Sequence, residues 1–361
     1  MSSAVYEELL EVMKKRRGPY AGADIPEFFE LVETLFTPEQ AEVNNAMPKG
    51  LVSADDMTKK MGKDKEDIQQ ILEAMADKGL CTSVKREEIH YYMAVPFMPG
   101  IFEYQFMPGK TTDRDKKIAG LIYAYKTAYE SSTGPRKMTF PTTRVITVDK
   151  KIEAGNKIHT YDQMKTYIDK NEYISAATCF CRHEAKLRGE NIHGMPMDVC
   201  MSFGNMAEYV VERLGGKRLS REEAMKVLDL SEEAGLIHMS RNTADNIDFV
   251  CNCDRWHCEV VTAMLKQPKP ALFFNSGFQP VFDPDLCTAC EECIDRCPPE
   301  AILMGDDDIP EVDLDRCFGC AVCATGCPSE AIKLEAKPGF PAPPKDIKEF
   351  AAAIKASFSN G

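Results

Sequence analysis

Through the N-terminal third of the chain, apolar residues recur three and four positions apart, the period of helices that turn one face to a core. Two helices are predicted first, over about 3–16 and 26–36. KKRR at 14–17 places positive charge where a helix C-terminus favours it. TPEQAEVNNAM at 37–47 reads as a third helix capped by Thr37, and SADDMTKKMG at 53–62 as a fourth capped by Ser53. DKEDIQQILEAMADKGL at 64–80 carries Ile68, Ile71, Leu72 and Met75 on one face and stops at Gly79. The period then shortens to two, so CTSVKR at 81–86 and EIHYYMAV at 88–95 alternate as strands. PFMPGIFEYQF at 96–106 is broken by Pro and Gly and reads as a connector. A further helix is predicted over 112–130, with Ile118, Leu121, Ile122, Tyr125 and Tyr129 on one stripe.

The three helices and two strands of 38–97 resemble a winged helix. Its charge argues against DNA: 51–95 holds seven Lys and Arg against nine Asp and Glu. The would-be recognition helix carries Glu66, Asp67, Glu73 and Asp77 against Lys65 and Lys78, where a groove-reading helix needs excess positive charge. A protein-docking or dimerising role is expected instead, and Cys81, beside the strands, is expected to pack.

Beyond it, RVITVDKKI at 144–152 reads as a strand and 161–175 as a helix. CRHEAKLRG at 181–189 reads as a short helix ending at Gly189. MSFGNMAEYVVERLGG reads as a helix following Cys200, and WHCEVVTAMLKQP as one stopped before Pro268. Ser220 and Glu223 form a capping box for a helix ending at Gly235. The Pro-rich KPGFPAPPK leads to a last helix with Ile347, Phe350, Ala351 and Ile354 on one face, expected to dock on the protein or on a partner. The expected fold class is α+β and multidomain. The divisions are 1–37, N-terminal helices; 38–97, winged-helix-like domain; 98–160, connector with helix; 161–268, mixed helical Cys-rich middle domain that binds metal; 269–336, ferredoxin-like dicluster domain; and 337–361, Pro-rich linker and terminal helix.

With 361 residues and 44 basic against 57 acidic side chains, the net charge is −13, which excludes a general nucleic-acid binder and suits basic partners. No run of ~18 apolar residues predicts a membrane span. The N-terminus lacks the apolar stretch of a secretion signal, so a cytoplasmic location is expected. Fifteen cysteines then mean metal or redox chemistry rather than disulfides.

Eight of them form a repeat: Cys287-x2-Cys290-x2-Cys293-x3-Cys297-Pro298, then Cys317-x2-Cys320-x2-Cys323-x3-Cys327-Pro328. CPPEAI answers CPSEAI, and FDPDLC answers VDLDRC. Residues 281–336 thereby resemble the bacterial-type two-cluster ferredoxin. The resemblance implies two [4Fe–4S] clusters, each taking its fourth thiolate from the other half of the repeat. Cys287, Cys290, Cys293 and Cys327 would hold cluster 1, and Cys317, Cys320, Cys323 and Cys297 cluster 2.

Six more cysteines lie in the middle segment: Cys179, Cys181, Cys200, Cys251, Cys253 and Cys258. Cys179/Cys181, Cys200 and Cys251/Cys253 are each expected near a helix N-terminus, where free N–H groups favour a thiolate or an anionic cluster. The expectation is a third [4Fe–4S] site using four of the six. Structural zinc and free reduced thiols remain alternatives. His193 and His257 lie beside these cysteines, and Trp256 is expected to shield the site.

Gly109-Lys110-Thr111 looks like the end of a phosphate loop, but Tyr104 stands where its first glycine belongs. No nucleotide or flavin motif is seen. The order of parts resembles multidomain winged-helix iron–sulfur proteins of anaerobes. The expected function is electron transfer, as a subunit or partner of a cytoplasmic oxidoreductase, with a redox protein or oxidoreductase complex as partner and a homodimer as a further arrangement. The alternatives are an enzyme reducing a small substrate or a disulfide at the middle cysteines, and a redox-responsive winged-helix regulator.

Overall fold

The computed structural model describes residues 4–134, 140–148, 152, 164–245 and 247–359. Positions 149–151 of the expected strand and 161–163 of the expected helix lie outside the described residues. Helices and strands are mixed in an α+β arrangement. In chain order they begin with α1 (Ala4–Arg16), α2 (Pro26–Leu35), α3 (Pro38–Ala46), β1 (Val52–Ser53), α4 (Ala54–Met61), α5 (Lys65–Asp77), β2 (Cys81–Arg86), β3 (Ile89–Ala94), α6 (Phe102–Phe106) and α7 (Asp113–Thr133). Next come β4 (Thr143–Val145), α8 (Met164–Lys170), β5 (Ile174–Ala177), α9 (Phe180–Leu187), β6 (Cys200–Phe203), α10 (Asn205–Arg213), β7 (Lys217–Leu219), α11 (Arg221–Glu233), β8 (Ile237–Arg241), β9 (Phe249–Cys253) and α12 (Glu259–Leu265). The last are β10 (Phe278–Phe282), α13 (Glu292–Asp295), β11 (Ile302–Met304), β12 (Pro310–Val312), α14 (Val322–Thr325), β13 (Ile332–Ala336) and α15 (Ile347–Ser359). No helix among the described residues is long and apolar enough to cross a membrane. The chain forms two compact units: 1–136 with 177–192 and 208–217, and the remainder.

In the first unit, local chemistry sets the helix starts. Thr37, Ser53 and Thr112 each close a capping box, with Gln40, Asp56 and Asp115, and Asp64 caps α5. β2 and β3 pair antiparallel from Cys81↔Ala94 to Arg86↔Ile89, and β1 adds to β3. Cys81 is fully buried beneath Tyr209, whose hydroxyl donates to the Cys81 carbonyl at 2.8 Å, so it packs as expected. Residues 96–106 are more than the expected connector. Phe97, Ile101, Phe102 and Phe106 are core residues, and Phe102 meets Phe106 and Phe180 edge to face. Pro and Gly break the periodicity there, but four large apolar side chains still have to be buried.

The second unit is built on a six-stranded sheet of order β4-β8-β9-β6-β5-β7. The sequence predicts a mixed helical segment here, entered by one strand that coincides in part with β4. β5, β6 and β8, of four or five residues each, are buried along nearly their whole length and show no alternation, so they escape a periodicity reading. One face carries Met201, Phe203 and Val250 against α8 and α11, with Tyr167, Ile168, Ala224 and Leu228 in the same core. The other face carries Ile237, Met239 and Cys253 against Val261 and Met264 of α12 and against Phe274, Phe318 and Val322. Ser220 caps α11 by the expected box with Glu223.

The segment after Phe274 repeats its own geometry. Ala289 and Gly319, Glu291 and Ala321, and Glu300 and Glu330 all have positive φ, one of each pair in each half. β10 pairs antiparallel with β13, bringing the segment's ends together, and β11 pairs with β12. Arg296 fastens the segment to α11 by donating to the carbonyls of Glu232 (3.1 Å) and Glu233 (3.4 Å) at that helix's C-terminal end. The Pro-rich stretch docks on the same unit: Ala244 and Asp245 donate backbone bonds to Pro344 and Lys345, both at 2.9 Å, and Phe350 of α15 meets Phe140.

Candidate metal centres

Two backbone bonds interlock the halves of the cysteine repeat. Asp283 N–H donates to Ala331 O and Asp313 N–H to Ala301 O, both at 2.8 Å, so the lead into each half rests on the tail of the other. Each lead then turns alike, with Cys287 N–H on Asp283 O and Cys317 N–H on Asp313 O. This exchange carries the fourth cysteine of each half across.

Cys287, Cys290, Cys293 and Cys327 line one hollow, together with Phe282, Pro310 and Ile332. Burial pushes the Cys293 thiol up to about 11, with Cys290, Cys327 and Cys287 adding to the effect. Cys297, Cys317, Cys320 and Cys323 form the second group and are all buried. Burial raises Cys297 to about 11 against the pull of the Ala301 N–H, which donates to its Sγ at 3.3 Å, and of Arg255. Cys323 is pushed far above the usual thiol value by burial and by Cys320, Cys297, Cys317 and Cys293. Thiols this buried keep their protons until a metal centre displaces them, and soft sulfur donors suit iron–sulfur units. The residues present therefore fit two such groups.

Gly319 shows how tightly the second group is wrapped. A Cβ on it would stand 2.2 Å from Phe278 O and 2.4 Å from Ser276 Oγ, at a φ of +65°. Its counterpart Ala289 carries a Cβ at a φ of +50°, so close approach, more than dihedral angle, demands the glycine.

The middle cysteines divide between the units. Cys179 and Cys181 belong to the first, as the N-cap of α9 and a residue in its first turn. Cys200, Cys251, Cys253 and Cys258 belong to the second. The expectation of helix N-termini holds for Cys179 and Cys181 and fails for Cys200, Cys251 and Cys253. Cys200 opens strand β6, and Cys251 and Cys253 lie in β9, because β6 and β9 pair across the sheet as Met201↔Val250 and Ser202↔Phe249. Cys258 is the residue at a helix start, the N-cap of α12. Cys253 is held well above the usual thiol range by hydrogen bonds with Cys251 and Cys258, and then by burial.

The loop from Cys253 to Cys258 is folded by Asp254, which accepts the N–H groups of Trp256 (2.9 Å) and His257 (2.6 Å). Its carboxylate also meets His257 Nδ1 at 3.3 Å. Trp256 is 46% exposed and stacks on His193 at 4.5 Å, so it stands at the surface rather than closing the site as a buried lid.

Three residues that sequence reasoning passed over matter here. Asn252, between Cys251 and Cys253, donates to Val199 O at 2.6 Å and meets buried His238 Nδ1 at 2.6 Å. Arg255 donates to Cys297 O at 3.3 Å and pairs with Glu300. Buried His183 donates from Nδ1 to Phe106 O at 2.9 Å. Only position beside a cysteine could have flagged them, since their roles depend on residues distant in sequence.

A family model described as a 4Fe-4S dicluster domain matches residues 286–331. No curated protein and no solved structure matches the chain. Interlocked halves, two groups of four cysteines and this match agree that residues 286–331 form a ferredoxin-type 4Fe–4S domain.

Proposed function

We propose that this is an electron-transfer iron–sulfur protein, relaying single electrons through two [4Fe–4S] clusters of the ferredoxin-type domain and a third centre among the middle cysteines. The observation that carries the reading is the exchange of cysteines between the halves: Cys327 lines the hollow of Cys287, Cys290 and Cys293, while Cys297 lies in the field of Cys320 and Cys323. Cys287, Cys290, Cys293 and Cys327 would hold cluster 1, and Cys297, Cys317, Cys320 and Cys323 cluster 2. A cluster bound at each place would supply a one-electron store.

The chain's own residues do the rest. They bury cluster 2's thiols, aim backbone N–H groups at sulfur, and leave Cys290 exposed and Cys287 and Cys327 half-buried. This gradient supports cluster 1 as the end that meets a redox partner and cluster 2 as the inner station. Cys253, Cys258 and Cys320 share one buried apolar group, which supports the middle site as the next station. The net charge of −13 favours a basic partner, a redox protein or oxidoreductase complex of the cytoplasm.

Residues 38–97 fit the winged-helix reading in a docking or dimerising role. Of the acidic residues on α5, Glu73 is engaged by Arg213, His90 and Tyr92, and Asp77 pairs with Arg213 as well. The test is an anaerobic reductive titration of the full chain. Uptake of about three electrons is expected, one per cluster, and about two after Cys290→Ala. A wild-type chain that accepts none would refute the proposal.

A further inference from the structure

The geometry points to Cys200, Cys251, Cys253 and Cys258 as the four thiolates of the middle centre, an iron–sulfur site on the sheet face that adjoins cluster 2. This rests on the proposal of a third centre and names its ligands. The argument starts from register. β6 and β9 pair antiparallel as Met201↔Val250, and the next step along that ladder sets Cys200 opposite Cys251. Residues opposite one another in an antiparallel pair point to the same face, and residues two apart on a strand share a face. Cys200, Cys251 and Cys253 therefore stand on one face. The packing agrees: Met201 and Val250 belong to the core on the far side, and Cys251 and Cys253 to the core on the near side.

Cys258 comes to the same place by a different route. The Asp254 turn folds residues 254–257 back, and side-chain hydrogen bonds join the Cys253 thiol to those of Cys251 and Cys258. Cys258 is the N-cap of α12, and its side chain makes no capping bond to that helix. Asn252 fixes the frame from the opposite face by holding Val199 O and meeting His238. It is a positioning residue that ties the strand carrying Cys251 and Cys253 to the residue before Cys200. Arg255, in the same loop, reaches Cys297 O, and Phe318 and Cys320 pack in the same core as Cys253 and Cys258. The set thus adjoins cluster 2.

Cys179 provides the matched control, because it is also a helix N-cap with no side-chain cap bond. Each substitution to alanine should therefore disturb its own helix equally little. The experiment measures iron, sulfide and reduction waves on the full chain purified without oxygen, for wild type, Cys258→Ala, Cys200→Ala and Cys179→Ala. The two ferredoxin waves report in each sample that the second unit has folded. Wild type should carry about twelve iron and three waves, following the four-iron composition of the cluster type. Cys258→Ala and Cys200→Ala should each lose about one third of the iron and one wave, while Cys179→Ala keeps all three. A wild-type chain with two waves would overturn the third centre itself. Three waves in wild type, with loss in Cys179→Ala and retention in Cys258→Ala, would overturn this ligand set alone.

Discussion

Replacing Arg255 by glutamine removes the positive charge that stands beside cluster 2 and keeps a donor for the Cys297 carbonyl. The guanidinium donates to Cys297 O at 3.3 Å, and its charge acts on the Cys297 sulfur. At an effective dielectric of about 20, two unit charges at about 7 Å interact by roughly 2 kcal/mol. The pairing with Glu300 offsets part of this, and the side chain is 26% exposed. A net effect of about 1 kcal/mol is therefore expected after screening. Adding an electron makes a cluster more negative, so losing the charge disfavours reduction. For a one-electron couple, where a tenfold change in the equilibrium constant is about 59 mV, this lowers the potential by roughly 40 mV. The assay is an anaerobic potentiometric titration of wild type and Arg255→Gln, with cluster 1 identified by the wave that Cys290→Ala removes. One remaining potential should fall and cluster 1 should hold. Potentials unchanged within about 10 mV, or a rise at cluster 2, would refute the electrostatic reasoning.

Gly319→Ala should destabilise the ferredoxin-type domain by about 2 kcal/mol or more, because its Cβ meets backbone oxygen at a positive φ; Ala289→Gly, measured by the same chemical denaturation, should be near neutral. Glu73 is held down to about 2 from its ordinary 4.5, against burial, by bonds from His90, Tyr92 and Arg213. Its contribution to stability is thus present above pH 4.5 and lost as pH falls towards 2, and Glu73→Gln should flatten that part of the curve of melting temperature against pH. Asn252→Ala leaves Val199 O and His238 Nδ1 without this partner. A loss of about 1–3 kcal/mol is expected, with the middle centre's wave broadened or lost and the ferredoxin waves intact; unchanged stability and three unchanged waves would remove Asn252 from the account.

What the sequence made legible follows the range of the interactions involved. Thr37, Ser53, Thr112 and Ser220 cap helices through bonds to residues three positions on, so a short window announces those starts. The eight ferredoxin cysteines were legible because each half delivers three sulfurs from one turn, which ties chemistry to local spacing. The sheet was not. β6 and β9 pair across nearly fifty residues, and their short buried strands have no period to read. That is why Cys200, Cys251 and Cys253 were expected at helix starts when they stand on strands, and why the cap role of Cys258 went unseen. Arg255 and Asn252 acquire meaning only from Cys297 O, Val199 O and His238, which the fold brings to them.

The central claim is that twelve of the fifteen cysteines hold iron–sulfur clusters, the eight of the repeat and Cys200, Cys251, Cys253 and Cys258 of the middle group. Iron, acid-labile sulfide and zinc per chain, measured together on protein purified without oxygen, test it most directly. About twelve iron, about twelve sulfide and no zinc are predicted for three clusters of the four-iron type. Zinc in place of iron, or iron without matching sulfide, would contradict the account.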